Sequence, residues 1–326
     1  MIVCIGEAVI DMFQKNISGL GEVFMPLPGG CTYNTSIAIG ALGVPAAFVG
    51  RISHNFFGDI QVKRLNDYNV KNDLLIRCAE NPILAFIKTE EGRQPQYAFY
   101  DEGTSDKLLS TGELPQLPLE TSCIVFGSIS MNMEPIATTI ETLILNEASK
   151  NINERKIIAF DPNIRPFMIK NKNEYIKRFS GWVCACTIAK ISSEDFEYIY
   201  PDTEPQAALN KIIDLGARLA IVTLGPDGAI ALHKHEDGSV IKIRADGIQI
   251  PQIADTVGAG DTFLGAFLAR LAQKGKMTYN AIVSLNEFDL RDALSFANKA
   301  AAIVCTRYGA NPPSMKEIER GAFSIA

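Results

Sequence analysis

Basic clusters, long apolar stretches and histidines are all scarce in this sequence of 326 residues. No run of five or more basic residues occurs and the net charge is −6, which argues against nucleic acid or an anionic membrane as the main partner. No apolar stretch reaches the roughly 18 residues that a membrane span needs. The three histidines form no metal-binding cluster. The sequence therefore predicts none of these classes of function.

The seven cysteines form no recognisable framework. Their number is odd and their spacing is scattered, which is typical of reduced, buried thiols. Cys184 and Cys186 are too tightly spaced for a zinc-binding Cys-x-x-Cys motif. We therefore expect a cytoplasmic protein without structural disulfides.

Two common nucleotide-binding signatures are also missing. A Walker loop requires G-x-x-x-x-G-K-[ST], and no such segment is present. A dinucleotide fingerprint requires a third glycine three residues after Gly260, where Phe263 stands, and these residues lie far from the first predicted strand. A nucleotide would have to be bound by a different kind of loop.

Six short apolar runs have the continuous character of strands that are buried on both faces. Segments with helical spacing alternate with them, such as Phe57–Tyr68 and Ala207–Leu215, which Gly216 would end. This alternation predicts an α/β fold with a doubly wound, mostly parallel sheet flanked by helices. The predicted strands are Ile2–Ile5, Ala46–Val49, Ile124–Phe126, Ile157–Phe160, Trp182–Ile188 and Leu219–Leu224.

Two stretches break the alternation. The pattern of residues 12–28 predicts a strand, a turn and a second strand, and the pattern of residues 83–101 predicts a β-hairpin with a turn at Glu90–Arg93. Without helices of their own, the two stretches could pair as a small sheet over the main one. We therefore predict a small β lid made of residues 12–28 and 83–101, and an α/β domain made of residues 1–11, 29–82 and 102–326.

The strongest chemical signal is the segment from Asp255 to Asp261, which reads Asp-Thr-Val-Gly-Ala-Gly-Asp. An apolar helical face follows it, so Gly258, Ala259 and Gly260 lie at a helix N-terminus, where free N–H groups attract anions. Helix capping alone would also explain the glycines. Asp261 changes the interpretation, because a carboxylate at an anion site repels the anion unless a hydroxyl between them loses its proton while attacking phosphorus. The segment therefore predicts phosphoryl transfer with Asp261 as the base.

Two segments near the N-terminus could bind the substrate that carries this hydroxyl. Gly29 and Gly30 precede a helix with Asn34 in its first turn, so backbone amides and a carboxamide could contact sugar hydroxyls. An ordinary loop with a polar Asn is the alternative. Asp11 follows the first strand region, and ligands of open α/β sheets bind at the carboxyl ends of strands. A strand-end cap is the alternative for Asp11.

Two further segments follow predicted strands. Asp161-Pro-Asn-Ile-Arg165 comes after the fourth strand, and Arg165 could donate to a hydroxyl or a phosphate, although an Asx turn would also explain it. Lys-Ile-Ser-Ser-Glu194-Asp195 opens a helix after the strand that ends at Ile188. Glu194 and Asp195 could hold Mg²⁺ through waters or only complement the helix dipole. All these segments are expected at one edge of one sheet.

Gly29-Gly30-x-x-x-Asn34 and Asp255-Thr-x-Gly-Ala-Gly-Asp261 resemble the two signatures of the ribokinase-like (PfkB) carbohydrate kinases. The resemblance covers nearly the whole chain. Within the family, Gly6-Glu-Ala-Val-Ile-Asp11, Tyr97–Thr104 and Asp161-Pro-Asn-x-Arg165 look most like bacterial fructokinases.

The resemblance implies a role for each matching position. Asp261 matches the catalytic base, and the backbone around Gly258, Ala259 and Gly260 matches the anion hole. The sugar-contacting positions are Asp11, Gly29, Gly30, Asn34 and Arg165, and the stretches around ATP contain Thr223, Gly225, Gly228 and Asn298. Asp255 and the loop 307–310 resemble a monovalent-cation site, usually potassium. The lid resembles a β-clasp, which pairs two subunits in many members.

The chain departs from the family pattern at two places. Thr32 stands after the Gly-Gly pair, where the family has Gly, Ala or Pro. Ser192-x-x-Asp195 replaces the Asn-x-x-Glu of the Mg²⁺ site, so the shorter Asp195 and its neighbour Glu194 take the place of that Glu.

Residues and resemblance together predict a sugar kinase that uses ATP, Mg²⁺ and K⁺ and phosphorylates a hydroxyl of a hexose, with fructose indicated by the resemblance alone. A kinase of the same fold for 2-keto-3-deoxygluconate, ribose, tagatose phosphate or a nucleoside stays open. The second hairpin carries Lys88 and Arg93, but its strand Tyr97–Tyr100 has no cation, which favours a neutral sugar. An inactive sugar-sensing protein is the last alternative.

Overall fold

The computed structural model describes residues 1–88 and 96–321, except for the side chain of Tyr97. The described strands are β1 (Ile2–Ile5), β2 (Val9–Ile17), β3 (Gly21–Gly29), β4 (Ala46–Ser53), β5 (Val70–Lys71), β6 (Leu75–Cys78), β7 (Leu84–Lys88), β8 (Gln96–Tyr100), β9 (Cys123–Gly127), β10 (Ile157–Asp161), β11 (Ile188–Ser192), β12 (Leu219–Thr223), β13 (Ala229–Lys234) and β14 (Val240–Ala245). The described α-helices are α1 (Cys31–Ala41), α2 (Phe56–Asp67), α3 (Ile136–Ala148), α4 (Lys172–Ala185), α5 (Ser193–Ile199), α6 (Pro205–Leu215), α7 (Ala259–Gln273), α8 (Tyr279–Val283), α9 (Glu287–Val304) and α10 (Met315–Arg320). Among these described helices, none combines the length and the apolar character that crossing a membrane requires.

The large sheet has ten strands in the order β14-β13-β12-β11-β10-β9-β1-β4-β5, with β6 beside β4. The β12–β13 and β13–β14 pairs are antiparallel, and the other described pairs of this sheet are parallel. The chain starts at β1 in the middle, winds to β4 on one side and later to β9–β12 on the other. The prediction of a doubly wound, mostly parallel sheet is confirmed, and its ligands are expected at the carboxyl ends of the strands around β1.

The strand predicted at Trp182–Ile188 is wrong for all but its last residue, because β11 begins only at Ile188. Trp182–Ala185 forms the last turn of α4, because the apolar residues there are the buried face of a helix. The ring of Trp182 packs edge-on against that of Phe160, with 6.0 Å between centroids. The strand that follows runs on to Ser192 instead of ending at Ile188, so Lys190 lies inside the sheet.

The two stretches without helices pair as a separate four-stranded sheet in the order β3-β2-β7-β8. β2 begins at Val9, earlier than predicted, so Asp11 is the third residue of this smaller sheet's first strand and not a cap at the end of a main-sheet strand. The turn predicted at Glu90–Arg93, and Arg93 with it, lies outside the described residues.

Candidate active site

Gly258, Ala259 and Gly260, here called the glycine loop, lie at the start of α7, as predicted. Gly258 is the N-cap of this helix with a φ of 77°, and Ala259 is its first residue. A Cβ on Gly258 would come 2.5 Å from the Cβ of Ala310, and a Cβ on Gly260 would come 2.8 Å from Nζ of Lys190. The glycines thus allow close packing against protein groups, whereas the sequence suggested only the approach of a phosphate. The first N–H groups of a helix have no intrahelical acceptors, so this end can bind an anion.

Asp261 lies in the first turn of α7, where it is buried. Its Oδ2 accepts a hydrogen bond of 2.9 Å from Nδ2 of Asn34, which joins α7 to α1. Burial raises the pKa of Asp261 from 3.8 to about 6; the hydrogen bond from Asn34 opposes this rise and the charge of Asp161 adds to it. Asp261 is therefore ionised at neutral pH, with a pKa close enough to neutrality for it to accept a proton during a reaction.

A cluster around Asp261 was missed by reasoning from motif spacing. The Sγ of Cys31 and one carboxylate oxygen each of Asp161 and Asp261 all lie within 4.8 Å of one another. Oδ2 of Asp161 also accepts a hydrogen bond of 2.9 Å from Nζ of Lys190. The sequence contains one signal for this cluster, since a lysine within an apolar strand must find a buried partner.

The Gly29-Gly30 pair lies between Asp11 and the start of α1. Gly30 is the N-cap of α1 with a φ of 110°, and a Cβ there would come 2.5 Å from the backbone oxygen of Glu7. Glu7 is buried, and its Oε1 accepts a hydrogen bond of 3.1 Å from the N–H of Cys31. Glu7, which was not predicted from the sequence, fixes the first turn of α1 and with it Asn34.

Asp11 and Arg165 influence each other across the site. The pKa of Asp11 is raised to about 7, mainly by burial and also by the charge of Asp261, while the guanidinium of Arg165 opposes the rise. Nη1 of Arg165 donates a hydrogen bond of 2.8 Å to Oδ1 of Asn163. Among the described residues the guanidinium donates through Nη1 alone, so its other N–H groups can serve a ligand.

The family of the chain follows from a comparison of its sequence with known families. A model described as the pfkB family of carbohydrate kinases matches residues 1–317. The chain belongs to this family. A curated fructokinase of Rhizobium leguminosarum bv. trifolii is 36% identical over 296 residues, which are 90% of this chain and 86% of that protein. The predicted family is therefore confirmed.

Solved structures share the fold of this pfkB-family kinase. A fructokinase from Xylella fastidiosa with bound ATP has a TM-score of 0.85 and 23% identity, covering 98% of this chain and 97% of that chain. A fructokinase from Vibrio cholerae O395 in fructose, ADP and calcium ion bound form has a TM-score of 0.81 and 23% identity, covering 98% of each chain. Likeness at this level of identity confirms the fold.

The residues predicted to border the nucleotide in this pfkB-family kinase gather around the end of β12. Thr223 is the last residue of β12, and Gly225 and Gly228 follow with φ values of 56° and 89°. Nδ2 of Asn298, in α9, donates to the backbone oxygens of residues 245 and 246 at 3.1 and 3.0 Å. Asn298 therefore holds the chain after β14, and this backbone forms one wall of the region.

Asp195, predicted at the Mg²⁺ site of the pfkB-family kinase, binds backbone amides. Its Oδ1 accepts the N–H of Ile164 at 2.6 Å and its Oδ2 accepts the N–H of Ser192 at 3.1 Å. Each oxygen keeps one lone pair, which fits an ion held through water better than direct ligation. The adjacent Glu194 is exposed.

Asp255 connects the glycine loop with the loop 307–310. Its Oδ1 accepts the N–H of Val257 at 3.0 Å and its Oδ2 accepts the N–H of Gly309 at 2.9 Å. Asp255 thus fixes both loops, and the oxygen atoms of its carboxylate and of the neighbouring backbone are of the type that hard cations prefer.

Proposed function

We propose that this kinase transfers the γ-phosphoryl group of ATP to a hydroxyl of fructose. The observation that carries the reaction type is Asp261, a buried carboxylate with a pKa of about 6 in the first turn of α7, beside amides that can bind an anion. Fructose is supported by the Rhizobium relative and by the sugar in the Vibrio structure, and ATP by the Xylella structure.

Asp261 accepts the proton of the sugar hydroxyl while the hydroxyl oxygen forms a bond to the γ-phosphorus and the bond to the ADP oxygen breaks. The amides of Gly258, Gly260 and Asp261 donate to the phosphoryl oxygens, and the amide of Ala259 joins them by turning away from the backbone oxygen of Thr256, to which it donates at 3.2 Å in the structure. In such a transfer most of the catalysis comes from positioning and charge stabilisation. Mg²⁺ would neutralise phosphate charge when bound, with Asp195 and Glu194 holding it through waters, and K⁺ would bind beside Asp255.

The sugar is held by Asp11, Gly29, Gly30, Asn34 and Arg165, and the nucleotide lies along Thr223, Gly225, Gly228 and Asn298. The four-stranded sheet acts as a lid that excludes water, so that ATP is not hydrolysed. This role is supported by the ring of Phe99 in β8, whose centroid lies 5.4 Å from that of Phe167, two residues beyond Arg165.

The lid comprises residues 12–28 and 83–101, and the catalytic domain comprises residues 1–11, 29–82 and 102–326, so that the two boundaries of the segment 12–28 fall inside β2 and at the last residue of β3. The kinase works in the cytoplasm, and two copies pair through their lids.

An ADP-release assay over a dozen sugars, with Mg²⁺ and K⁺ present, tests the substrate. We expect fructose to have the highest kcat/KM. A preference for 2-keto-3-deoxygluconate, ribose, tagatose phosphate or a nucleoside would replace fructose and keep the kinase, whereas binding without turnover of any sugar would make the chain a sugar sensor. Removing Mg²⁺ by chelation with EDTA tests whether the reaction requires the divalent ion, and replacing K⁺ with Na⁺ tests whether it requires potassium.

Arg165→Ala should lower kcat/KM for the sugar by about 10- to 100-fold, because hydrogen bonds to charged groups contribute about 1.5–3 kcal/mol. Steady-state kinetics measure this loss. Arg291→Ala removes an exposed arginine that pairs with Glu287 within α9 and should leave kcat/KM unchanged. Equal kcat/KM in both variants would remove Arg165 from the sugar site.

The KM for the sugar should rise as the pH falls below about 7, because Asp11, with a pKa of about 7, must be ionised to accept hydrogen bonds from hydroxyls. In Asp11→Asn the KM should be higher and independent of pH in this range. The measurement is KM against pH from 5.5 to 8.5. A wild-type KM that stays flat over this range would contradict the role of Asp11.

A further inference from the structure

Lys190 is a buried lysine that the reaction described so far does not use. It lies in β11, and its Nζ pairs with Oδ2 of Asp161 at 2.9 Å. The side chains of Lys190 and Asp161 are 4% and 1% exposed, and in no other ion pair of the described residues are both partners below 10%. Burying two charged groups this deeply costs desolvation free energy. The position of the pair beside the glycine loop indicates that it serves the reaction.

The ammonium group of Lys190 lies directly behind the glycine loop. A Cβ on Gly260 would come 2.8 Å from Nζ, so a side chain at residue 260 would displace the ammonium group of Lys190 from its position beside Asp161. Within residues 1–88 and 96–321, Asp161 is the acceptor of Nζ and no second one is found. Burial lowers the pKa of Lys190, but the charge of Asp161, the hydrogen bond to Asp161 and the charge of Asp195 together raise it above its usual value, so the lysine is charged.

Asp161 extends from the end of β10 into the catalytic cluster. Its Oδ2 lies 3.9 Å from Sγ of Cys31, and its Oδ1 is buried without a hydrogen-bond partner in the described part of the chain. A carboxylate oxygen of Asp161 also lies within 4.8 Å of a carboxylate oxygen of Asp261. Without Lys190, a second carboxylate would repel both Asp261 and an incoming phosphoryl group.

We propose that Lys190 is a positioning residue of the phosphoryl transfer, which together with Asp161 forms a neutral ion pair behind the glycine loop and holds the loop and Asp261 in their reactive arrangement. The inference rests on the proposed function. Asp161 without Lys190 leaves an extra anion at the site, and Lys190 without Asp161 leaves a cation that pairs with Asp261 and weakens it as a base. The charged or polar groups that face Asp261 are Asn34 and Cys31 from α1, Asp161 from β10, Lys190 from β11 and Asp11 from β2.

The test compares Lys190→Met, Asp161→Asn and the double variant by the pH dependence of kcat. In the wild type we expect the rate to fall on the acid side near pH 6, where Asp261 takes up a proton. This fall in kcat on the acid side is called the acid limb. We expect it to move by about one pH unit to higher pH in Lys190→Met and by about one pH unit to lower pH in Asp161→Asn. Each single variant should lose about 10- to 100-fold in kcat through misplacement of the reacting groups.

The double variant, which restores neutrality, should return the acid limb close to its wild-type position and exceed the poorer single variant in kcat. It also keeps the test decisive if one single variant fails to fold. Arg270→Met breaks an ion pair elsewhere on α7 and is the matched control, with no shift of the limb. Limbs that stay in place, or move in the same direction in both single variants, would overturn the proposal.

A measurement without turnover separates this inference from the proposed function. The difference in unfolding free energy between proteins with Asp261 and with Asp261→Asn, followed against pH, reports the titration of this carboxyl group. In an Asp161→Asn background its midpoint should move to lower pH even if no sugar is a substrate. An unmoved midpoint would overturn the inference, whereas a wild type that turns over no sugar would overturn only the proposed function.

Discussion

Asp261→Asn should lose about 10²–10⁴-fold in kcat and should at the same time unfold at a higher temperature than the wild type at pH 7.5. The loss follows because the carboxamide cannot take the hydroxyl proton. The gain in stability follows because the wild type must keep an ionised carboxylate in a buried position, where burial raises its pKa to about 6. Catalytic need and folding stability therefore oppose each other at this residue.

The pH dependence of the stability gain has a defined sign. The pKa of Asp261 is about 6 in the folded chain against a usual 3.8, so the folded state binds the proton more tightly than the unfolded state. Stability from this group is present at low pH and is lost as the pH rises to about 6, where the cost reaches about 3 kcal/mol. The advantage of Asp261→Asn should be large at pH 7.5 and small at pH 4.

Urea unfolding at the two pH values, together with kcat, measures both effects. Asp292→Asn is a control of opposite sign, because the hydrogen bond from Arg270 holds the pKa of Asp292 below its usual range. That variant should lose stability at pH 7.5 and keep its turnover. If Asp261→Asn retained near-normal turnover, Asp261 would not be the base.

The fold was largely predictable because its signals are local. Buried parallel strands such as β10 contain an uninterrupted apolar run, here Ile157–Phe160, and Gly216 ends its helix as predicted with a positive φ of 131°. The strand predicted at Trp182–Ala185 was wrong because a short apolar run fits the buried face of a helix as well as it fits a strand. Only the packing of the Trp182 ring on Phe160 distinguishes the helix from the strand.

The candidate site was predictable in part. Asp261 and Asn34 were expected at the starts of two helices, and the structure joins them by a hydrogen bond. Lys190 and Glu7 were not recognised, because their partners Asp161, Ser130 and Cys31 are distant in sequence and meet only after the strands pair. The sequence indicates which residue types can react, whereas the charge that surrounds them depends on pairings of long sequence separation.

Gly258→Ala should reduce kcat/KM for ATP by about 10²–10³-fold, the usual cost of losing a preorganised donor to a developing anion. The added Cβ would come 2.5 Å from the Cβ and 2.8 Å from the Cα of Ala310, so either the glycine loop or the loop 307–310 must move. Such a movement turns the first amides of α7 away from the phosphoryl group. It also disturbs the hydrogen bond from Gly309 to Asp255, on which both loops depend.

Gly275 provides a control with a similar positive φ at the other end of α7. Its φ is 70° against 77° for Gly258, but a Cβ there would meet nothing within 4 Å. Gly275→Ala should therefore cost only the left-handed strain of about 1–2 kcal/mol in unfolding free energy and leave kcat/KM unchanged. Steady-state kinetics and urea unfolding of the two variants separate backbone strain from the contact with Ala310. Equal effects in both variants would mean that strain alone accounts for the loss, and that the glycine loop tolerates displacement.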